Sequence, residues 1–280
     1  TKNEVYMMYE ILEKLELNKD VDLFKIKAPL VAKNTKPGNF VIVRVDKLGE
    51  RIPLTIVESD SESITIISQK VGFSTKLLSK KEKGDFIEDV VGPLGEAIKI
   101  KNIRNLIAIA GGVGAAPLYP QLKCYHSSGT KIDLIIGARD KEHLLLMDKF
   151  AEVCENIFVA TDDGSVGKKG FVTEVLKEKL KDKSYDFSIT IGPLIMMKNV
   201  VLINKDYNLP TDVSLNPIMI DGTGMCGNCR VSINGKNHFA CVEGPDFSAE
   251  GIDFDELISR QRYYKDKEHV CNLRLGESDD

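Results

Sequence analysis

The sequence predicts an α+β multi-domain fold: an antiparallel β-barrel, a doubly wound parallel α/β unit, and a small C-terminal module built around a metal centre. Three observations predict it. The first hundred residues carry short, partly alternating segments rich in β-branched residues, separated by turn signals. After about Lys101 the pattern changes to compact apolar strands alternating with helical periodicity. From about Asp212 onward, glycine and cysteine cluster around the spacing D-x4-C-x2-C-x11-C. A chain of 280 residues is long enough for two or three compact units, and the boundaries are set at 1–100, 101–211 and 212–280.

In the first unit, strands are expected at 10–17, 21–27, 40–45, 51–57 and 63–68. Asn18-Lys19-Asp20, Lys36-Pro37-Gly38 and Lys47-Leu48-Gly49 punctuate them as turns. A helix is expected over 75–83 with Ser74 as its N-cap, and Gly92-Pro93-Leu94-Gly95 closes the unit. In the second unit, strands at 106–110, 131–137, 156–160 and 187–191 alternate with helices at 117–125, 141–154, 171–180 and 195–203. The third unit ends in a helix over 254–265.

Two stretches carry the signals of nucleotide binding. The strand Leu106-Ile-Ala-Ile-Ala110 runs into Gly111-Gly112-Val113-Gly114-Ala115-Ala116-Pro117, followed at once by helical pattern. Small residues at a strand end, with a helix beginning directly after, let backbone amides and the helix N-terminus receive a diphosphate. The pattern is not a full GxGxxG, and a Gly-rich turn with no ligand is the competing reading. Gly192-Pro193 repeats the arrangement after a later strand, and Met196 and Met197 follow as pocket-lining or core-packing residues. In the barrel half, Arg51-Ile-Pro53-Leu54-Thr55 places a guanidinium and a hydroxyl on one face of a strand, as a phosphate-bearing ligand would require. Gly72-Phe73-Ser74-Thr75 offers further donors at a helix start.

The cysteine spacing is the most specific motif. The plant-type [2Fe–2S] pattern is C-x4-C-x2-C…C. Here Cys226, Cys229 and Cys241 take three of its positions and Asp221 the first. Gly222, Gly224 and Gly227 give the loop its backbone freedom and leave amides to face cluster sulfurs. A structural zinc site with three thiolates and a carboxylate is the alternative, as is a turn with three free thiols. Asp beside Gly is also ordinary turn chemistry. Cys124, Cys154 and Cys271 are expected to be small buried side chains rather than ligands.

Composition excludes several classes. Hydrophobic residues make up 42% and charged residues 29%, a globular balance. A net charge of −4 with scattered lysines gives no basis for nucleic-acid binding. No apolar run reaches the length of a membrane span, no signal-peptide pattern opens the sequence, and six cysteines with three in one metal-spaced cluster do not form a disulfide framework. A cytoplasmic protein is expected.

Together these motifs resemble the ferredoxin reductase-like flavoprotein subunits. The resemblance runs through RIPLTI (51–56), GGVGAAPLYP (111–120), TDDGS (161–165), IGPLIMM (191–197) and VSLNPIMIDGTGMCGNCRV (213–231). It is closest to the small subunits of NADH-dependent reduced ferredoxin:NADP oxidoreductases, the electron-bifurcating transhydrogenases also described as sulfide dehydrogenases. Dihydroorotate dehydrogenase electron-transfer subunits are similar too, but carry cysteine at the position of Asp221. The resemblance implies FAD held by Arg51, Pro53, Leu54 and Thr55, with its phosphates near Gly72, Ser74 and Thr75. It implies NAD(H) at Gly111–Pro117 and Gly192–Pro193, with a [2Fe–2S] cluster on Asp221, Cys226, Cys229 and Cys241. It further implies a heterodimer with a larger subunit carrying a second flavin and [4Fe–4S] clusters, through which ferredoxin and NADP(H) are reached.

For nucleotide choice, Arg139 could hold a 2′-phosphate, whereas Asp140, Asp162 and Asp163 add negative charge nearby; NAD(H) is expected. No general base is needed, because a flavin between a hydride donor and a one-electron cluster carries the reaction. A zinc-stapled nucleotide sensor is the non-enzyme alternative.

Overall fold

The computed structural model describes residues 8–263. Its first sheet has seven strands in the order β6-β1-β2-β5-β4-β3-β7. These are β1 (Tyr9–Asn18), β2 (Val21–Lys27), β3 (Phe40–Arg44), β4 (Arg51–Ser59), β5 (Ser63–Gln69), β6 (Phe86–Ile87) and β7 (Asp89–Leu94). The two edge strands are joined in sequence by Glu88 alone, so the antiparallel sheet curls until its edges meet. Phe24, Ile26, Val41, Val43, Ile64 and Ile66 fill its interior. Short helix α1 (Pro29–Asn34) covers one end with Val31 and Ala32, and starts at a proline whose missing N–H costs nothing there. Six residues give too short a period to be found in sequence.

Helix α2 (Phe73–Ser79) starts two residues before the expected position. Its N-cap is Gly72, because Thr75 Oγ1 accepts from the Gly72 N–H at 2.9 Å and so closes the first turn. Ser74 lies inside the helix and accepts instead from the Glu50 N–H at 2.8 Å. The Gly92-Pro93-Leu94 stretch, expected to close the unit, forms the end of β7, the last strand of the sheet.

The second sheet has the order β11-β10-β9-β8-β12-β13-β16. Strands β8 (Asn105–Gly111), β9 (Lys131–Ala138), β10 (Asn156–Thr161), β12 (Phe187–Ile191) and β13 (Thr211–Ser214) run parallel, with the two-residue β11 (Lys168–Lys169) at one edge. Helices α3 (Ala115–Ser127), α5 (Val172–Asp182) and α6 (Leu194–Asp206) cross between strands. The chain leaves β8 toward β9 and β10, then returns to β12 on the other side of β8. The crevice at the strand ends between β8 and β12 is therefore the switch point where such sheets bind ligands.

The helix expected over 141–154 is broken. Asp140 caps a single 3-10 turn at Lys141–His143, Leu146 takes a left-handed φ of 58°, and only α4 (Met147–Ala151) is α-helical. His143 is drawn out of register by its contacts, Nδ1 to Asp140 Oδ1 at 2.6 Å and Nε2 to Asp20 Oδ2 at 3.1 Å.

Strand β13 was absent from the expected elements, and it spans the junction between the second and third units. The antiparallel β16 (Asp246–Ser248), from the cysteine-bearing region, pairs with it and extends the sheet. That region also holds the hairpin β14 (Arg230–Ile233) and β15 (Lys236–Phe239), and helix α7 (Phe254–Gln261). One hydrophobic cluster joins Phe40 and Ile42 of the barrel, Leu194 and Met197 of α6, and Cys229, Cys241 and Leu257 of the last region. All three units thus share a core, and the functional cavity sits beside it.

Candidate functional site

A cavity of about 470 Å³ opens where the three units meet, within the range of cofactor sites. Pro53, Leu54 and Thr55 of β4 form one wall, with Phe40, Ile67 and Gln69. Gly111, Gly112, Val113, Gly114 and Pro117 face them from the end of β8 and the start of α3, beside Gly192, Pro193 and Met197. Ser214, Leu215, Asn216 and Met219, just before the cysteines, close the third side. Ala115 begins α3 fully buried beneath the turn.

The glycines here are required mainly by close approach. A Cβ on Gly114 would lie 2.4 Å from the Ile191 carbonyl oxygen, and one on Gly111 would lie 2.5 Å from Met196 Sδ. Strands β8 and β12 are thereby drawn together at the switch point, with Met196 packed behind the turn and Met197 in the cavity wall. Gly112 differs: its φ is +54° and a Cβ there would meet nothing within 4 Å. It faces open cavity, as a residue cradling a diphosphate must. Helix α3 begins directly after this turn with no side-chain cap, so its positive dipole end lies beside the same cavity.

The cysteine loop has another construction. Residues 215–229 contain no helix or strand, and Gly222, Gly224 and Gly227 all have positive φ, at +84°, +81° and +65°. Gly222 also packs so closely that a Cβ would stand 2.7 Å from both Ile42 Cδ1 and Leu94 Cδ1 of the barrel. Cys229 and Cys241 are buried with their sulfurs 3.2 Å apart, while Cys226 is exposed on the loop. Burial and the adjacent Cys229 push the Cys241 thiol up to about 12, against an opposing Gly224 N–H donated to its sulfur. Two thiolates this close need a cation to be ionised together.

Among the described residues, no three His, Cys, Asp or Glu side chains converge on one metal ion. A two-iron centre divides its ligands between two metals, and the adjacent Cys229–Cys241 pair, with Cys226 and Asp221 on the loop, fits that division. Asp221 Oδ2 accepts from Thr223, from its hydroxyl and from its N–H at 3.4 Å, so the carboxylate shapes the turn in this state.

Several residues singled out in the sequence stand away from the cavity wall. Arg51 donates through Nε to the Ile220 carbonyl at 2.9 Å and lies 3.4 Å from Asp89, so it ties β4 to the cysteine loop. Gly72, Ser74 and Thr75 lie in the first turn of α2, just beyond the end of β5, whose Gln69 does line the cavity. Arg139 and Asp162 sit at the carboxyl ends of β9 and β10, outside the lining. Arg139 pairs with Asp20 of the barrel and contacts His143. His143, with help from Arg139, holds the Asp20 carboxyl below its usual range despite desolvation. Asp162 is exposed, and its N–H bonds to the Ala138 carbonyl at 3.1 Å.

Sequence reasoning missed Gln69, Ser214, Leu215, Asn216 and Met219 as wall residues. The last four lie in the quoted VSLNPIM stretch, whose whole signal was credited to the cysteines that follow.

Comparison with known proteins gives a consistent picture. Residues 216–253 match the model for the iron–sulfur cluster binding domain of dihydroorotate dehydrogenase B, and residues 108–201 match the oxidoreductase NAD-binding domain. The chain is 46% identical to an uncharacterized protein encoded in the adh 3′ region of Clostridium beijerinckii, covering 96% of this chain and 95% of that one. It is 42% identical to a dihydroorotate dehydrogenase B (NAD(+)) electron transfer subunit homolog of Thermotoga maritima, covering 96% and 98%. Among solved structures, it is similar to a chain from the NADH-dependent reduced ferredoxin–NADP oxidoreductase, studied for flavin-based electron bifurcation. The TM-score is 0.90 at 41% identity, covering 96% of this chain and 98% of that one.

Proposed function

The chain belongs to the family of dihydroorotate dehydrogenase B-type electron-transfer subunits and their homologues, and from that premise we propose that it exchanges electrons between NAD(H), FAD and a [2Fe–2S] cluster. It is an oxidoreductase subunit of the ferredoxin–NADP reductase type. The observation that carries this reading is the meeting of three units on one cavity: β4, the β8–α3 turn and the segment leading into the cysteines share its walls. When bound, FAD supplies the conversion between two-electron hydride chemistry and one-electron transfer.

The chain's own residues do the positioning. Pro53, Leu54 and Thr55 offer a flat strand surface with one hydroxyl for the flavin, while Gly72, Ser74 and Thr75 stand at a helix start for its phosphates. Arg51 acts from beside the cysteine loop. Gly111, Gly112, Val113, Gly114, Ala115 and Pro117, with Gly192 and Pro193, hold the nicotinamide nucleotide across the crevice. Arg139 and Asp162 lie toward its adenosine end; with Arg139 engaged by Asp20 and Asp162 adding negative charge, NADH is preferred over NADPH. Asp221, Cys226, Cys229 and Cys241 hold the cluster. The units are 1–100 for FAD, 101–211 for NAD(H) and 212–280 for the cluster, working in the cytoplasm.

The chain serves a complex with a larger flavin- and [4Fe–4S]-bearing subunit that handles ferredoxin and NADP(H), as in the bifurcating oxidoreductase it resembles. The second reading, an electron-transfer subunit of NAD-dependent dihydroorotate dehydrogenase, is favoured by the match at 216–253. Anaerobic co-purification separates the two. A partner with a second flavin and [4Fe–4S] clusters supports the bifurcating complex, whereas a partner that oxidises dihydroorotate overturns it. Visible absorbance with equal iron and acid-labile sulfide is expected; a colourless, zinc-loaded protein would refute both.

A further inference from the structure

Asp246 occupies a position that neither nucleotide binding nor cluster ligation uses. It lies on β16 directly opposite Ser214 of β13, so the two side chains stand on the same face of the sheet. Ser214 is a wall residue of the cofactor cavity, as is Pro245. On its other side Asp246 borders a separate outer pocket of about 210 Å³, with Gln121, Tyr125 and Asp212. One carboxylate oxygen accepts from Gln121 Nε2 at 2.9 Å. The other, Oδ2, is buried with no partner among the described residues, and the barrel's Gly38 leaves it room: a Cβ there would come within 3.2 Å. A carboxylate held between two cavities with one oxygen unpaired is costly as an ion and is suited to gaining and losing a proton.

We propose that Asp246 is the proton relay of the cofactor cavity, exchanging a proton with the bound flavin through the Ser214 hydroxyl and with solvent through the outer pocket. This rests on the proposed function. A flavin that has accepted hydride, FADH⁻, returns to FAD by losing two electrons and one proton. The electrons leave one at a time to the iron–sulfur cluster, and the proton has no acceptor among them. In this relay it passes to the Asp246 carboxylate, which becomes a neutral acid and then releases it to water. In the opposite direction the same carboxyl supplies the proton that accompanies two electrons onto FAD.

The surroundings tune the group for this. Burial, reinforced by the Asp212 charge, pushes the Asp246 carboxyl up to about 6, against the opposing influence of Ser214 and Gln121. Around the outer pocket, Lys101 is paired with Asp212 at 2.7 Å and Lys99 with Glu96 at 2.6 Å, so neither lysine is free to fix Asp246 as an anion. Tyr125, also on this side, has its phenol raised by burial and remains neutral.

The test uses the intact complex with wild type, Asp246→Asn and Asp246→Glu. The infrared carbonyl band of a protonated carboxyl should fade in wild type as pH rises through about 6, with or without cofactors, and should be missing in Asp246→Asn. Stopped-flow reduction of the flavin by NADH should be unchanged in that variant. Flavin reoxidation through the cluster should slow by about tenfold or more and lose its rise with pH, with Asp246→Glu restoring both. Because the folded-state carboxyl holds its proton to higher pH than the unfolded one, wild-type stability falls between about pH 4 and 6. Asp246→Asn should therefore melt higher than wild type at pH 8 and equally at pH 4. An Asp246→Asn complex with wild-type reoxidation and pH profile overturns the relay alone. A wild-type complex whose flavin NADH cannot reduce overturns the function, and the relay with it.

Discussion

The β8–α3 turn and the cysteine loop are both glycine-rich, but their glycines answer to different forces. In the turn, Gly111 and Gly114 are dictated by neighbours: the Ile191 carbonyl and Met196 fill the space a side chain would need. The strand and helix on either side would hold the backbone without any ligand. In the loop, Gly222, Gly224 and Gly227 are dictated by φ, and among the described residues 216–228 donate no backbone–backbone hydrogen bond. Side chains from distant elements pin this loop instead. Arg51 holds the Ile220 carbonyl, Arg260 that of Asn228 at 3.0 Å, and Gln261 that of Asn216 at 3.0 Å. Regular secondary structure makes a binding site that stands ready, whereas an irregular loop depends on its ligand to complete it.

The largest expected effect follows from that dependence. Cys226→Ala, Cys229→Ala or Cys241→Ala should abolish the EPR signal of the reduced [2Fe–2S] centre, while Cys124→Ala and Cys154→Ala should leave it intact. Cys124 and Cys154 are half-buried rather than buried as expected, and desolvation pushes the Cys154 thiol up to about 12, which suits an unreactive side chain. An undiminished signal in Cys241→Ala would move the distant ligand to Cys271, which lies outside the described residues.

Asp221 sharpens the comparison next. Asp221→Ala should make the cluster labile to oxygen and chelators. Asp221→Cys should retain it with an altered g-tensor and midpoint potential, because thiolate is softer than carboxylate. If the Cys variant kept the original spectrum and potential, Asp221 would be only the turn residue that its bonds to Thr223 describe.

Gly114→Ala should destabilise the fold by about 1–3 kcal/mol through overpacking against the Ile191 backbone. It should also weaken NADH binding, while the cluster spectrum stays unchanged. Gly112→Ala meets no neighbour and pays only for its left-handed backbone, about 1–2 kcal/mol. Equal melting temperatures for wild type and Gly114→Ala would break the close-approach account.

Arg51→Ala should give the smallest change in stability. It removes a charged hydrogen bond to the loop from a partly exposed side chain, worth about 1 kcal/mol. It should also lower FAD retention and loosen the cysteine loop, read as faster hydrogen exchange over residues 216–228. Unchanged exchange and FAD content would remove both roles.

Much of this was legible in one dimension. Strands β2, β5 and β12 follow from β-branched runs bounded by turns, and the thiol spacing announces itself without any fold. The cavity wall was half legible: Pro53 to Thr55 and Gly111 to Pro117 were found, but Ser214 to Met219 were hidden beside a louder motif.

The sequence by itself determined the chemistry: which donors cluster, where small residues end a strand, and where period two gives way to helical period. Those depend on neighbours a few residues apart. Tertiary structure decided the rest, because the deciding partners are far along the chain. Arg51 meets Ile220 across 169 residues and Arg139 meets Asp20 across 119, so neither side chain's task could be read from its own strand. The helix pattern over 141–154 yields to His143 being held by Asp20 and Asp140. Strand β16 leaves the cysteine region to complete the nucleotide sheet, and by pairing with β13 it sets Asp246 beside Ser214. Periodicity cannot record such a pairing, since a three-residue strand gains its structure only from the edge it joins.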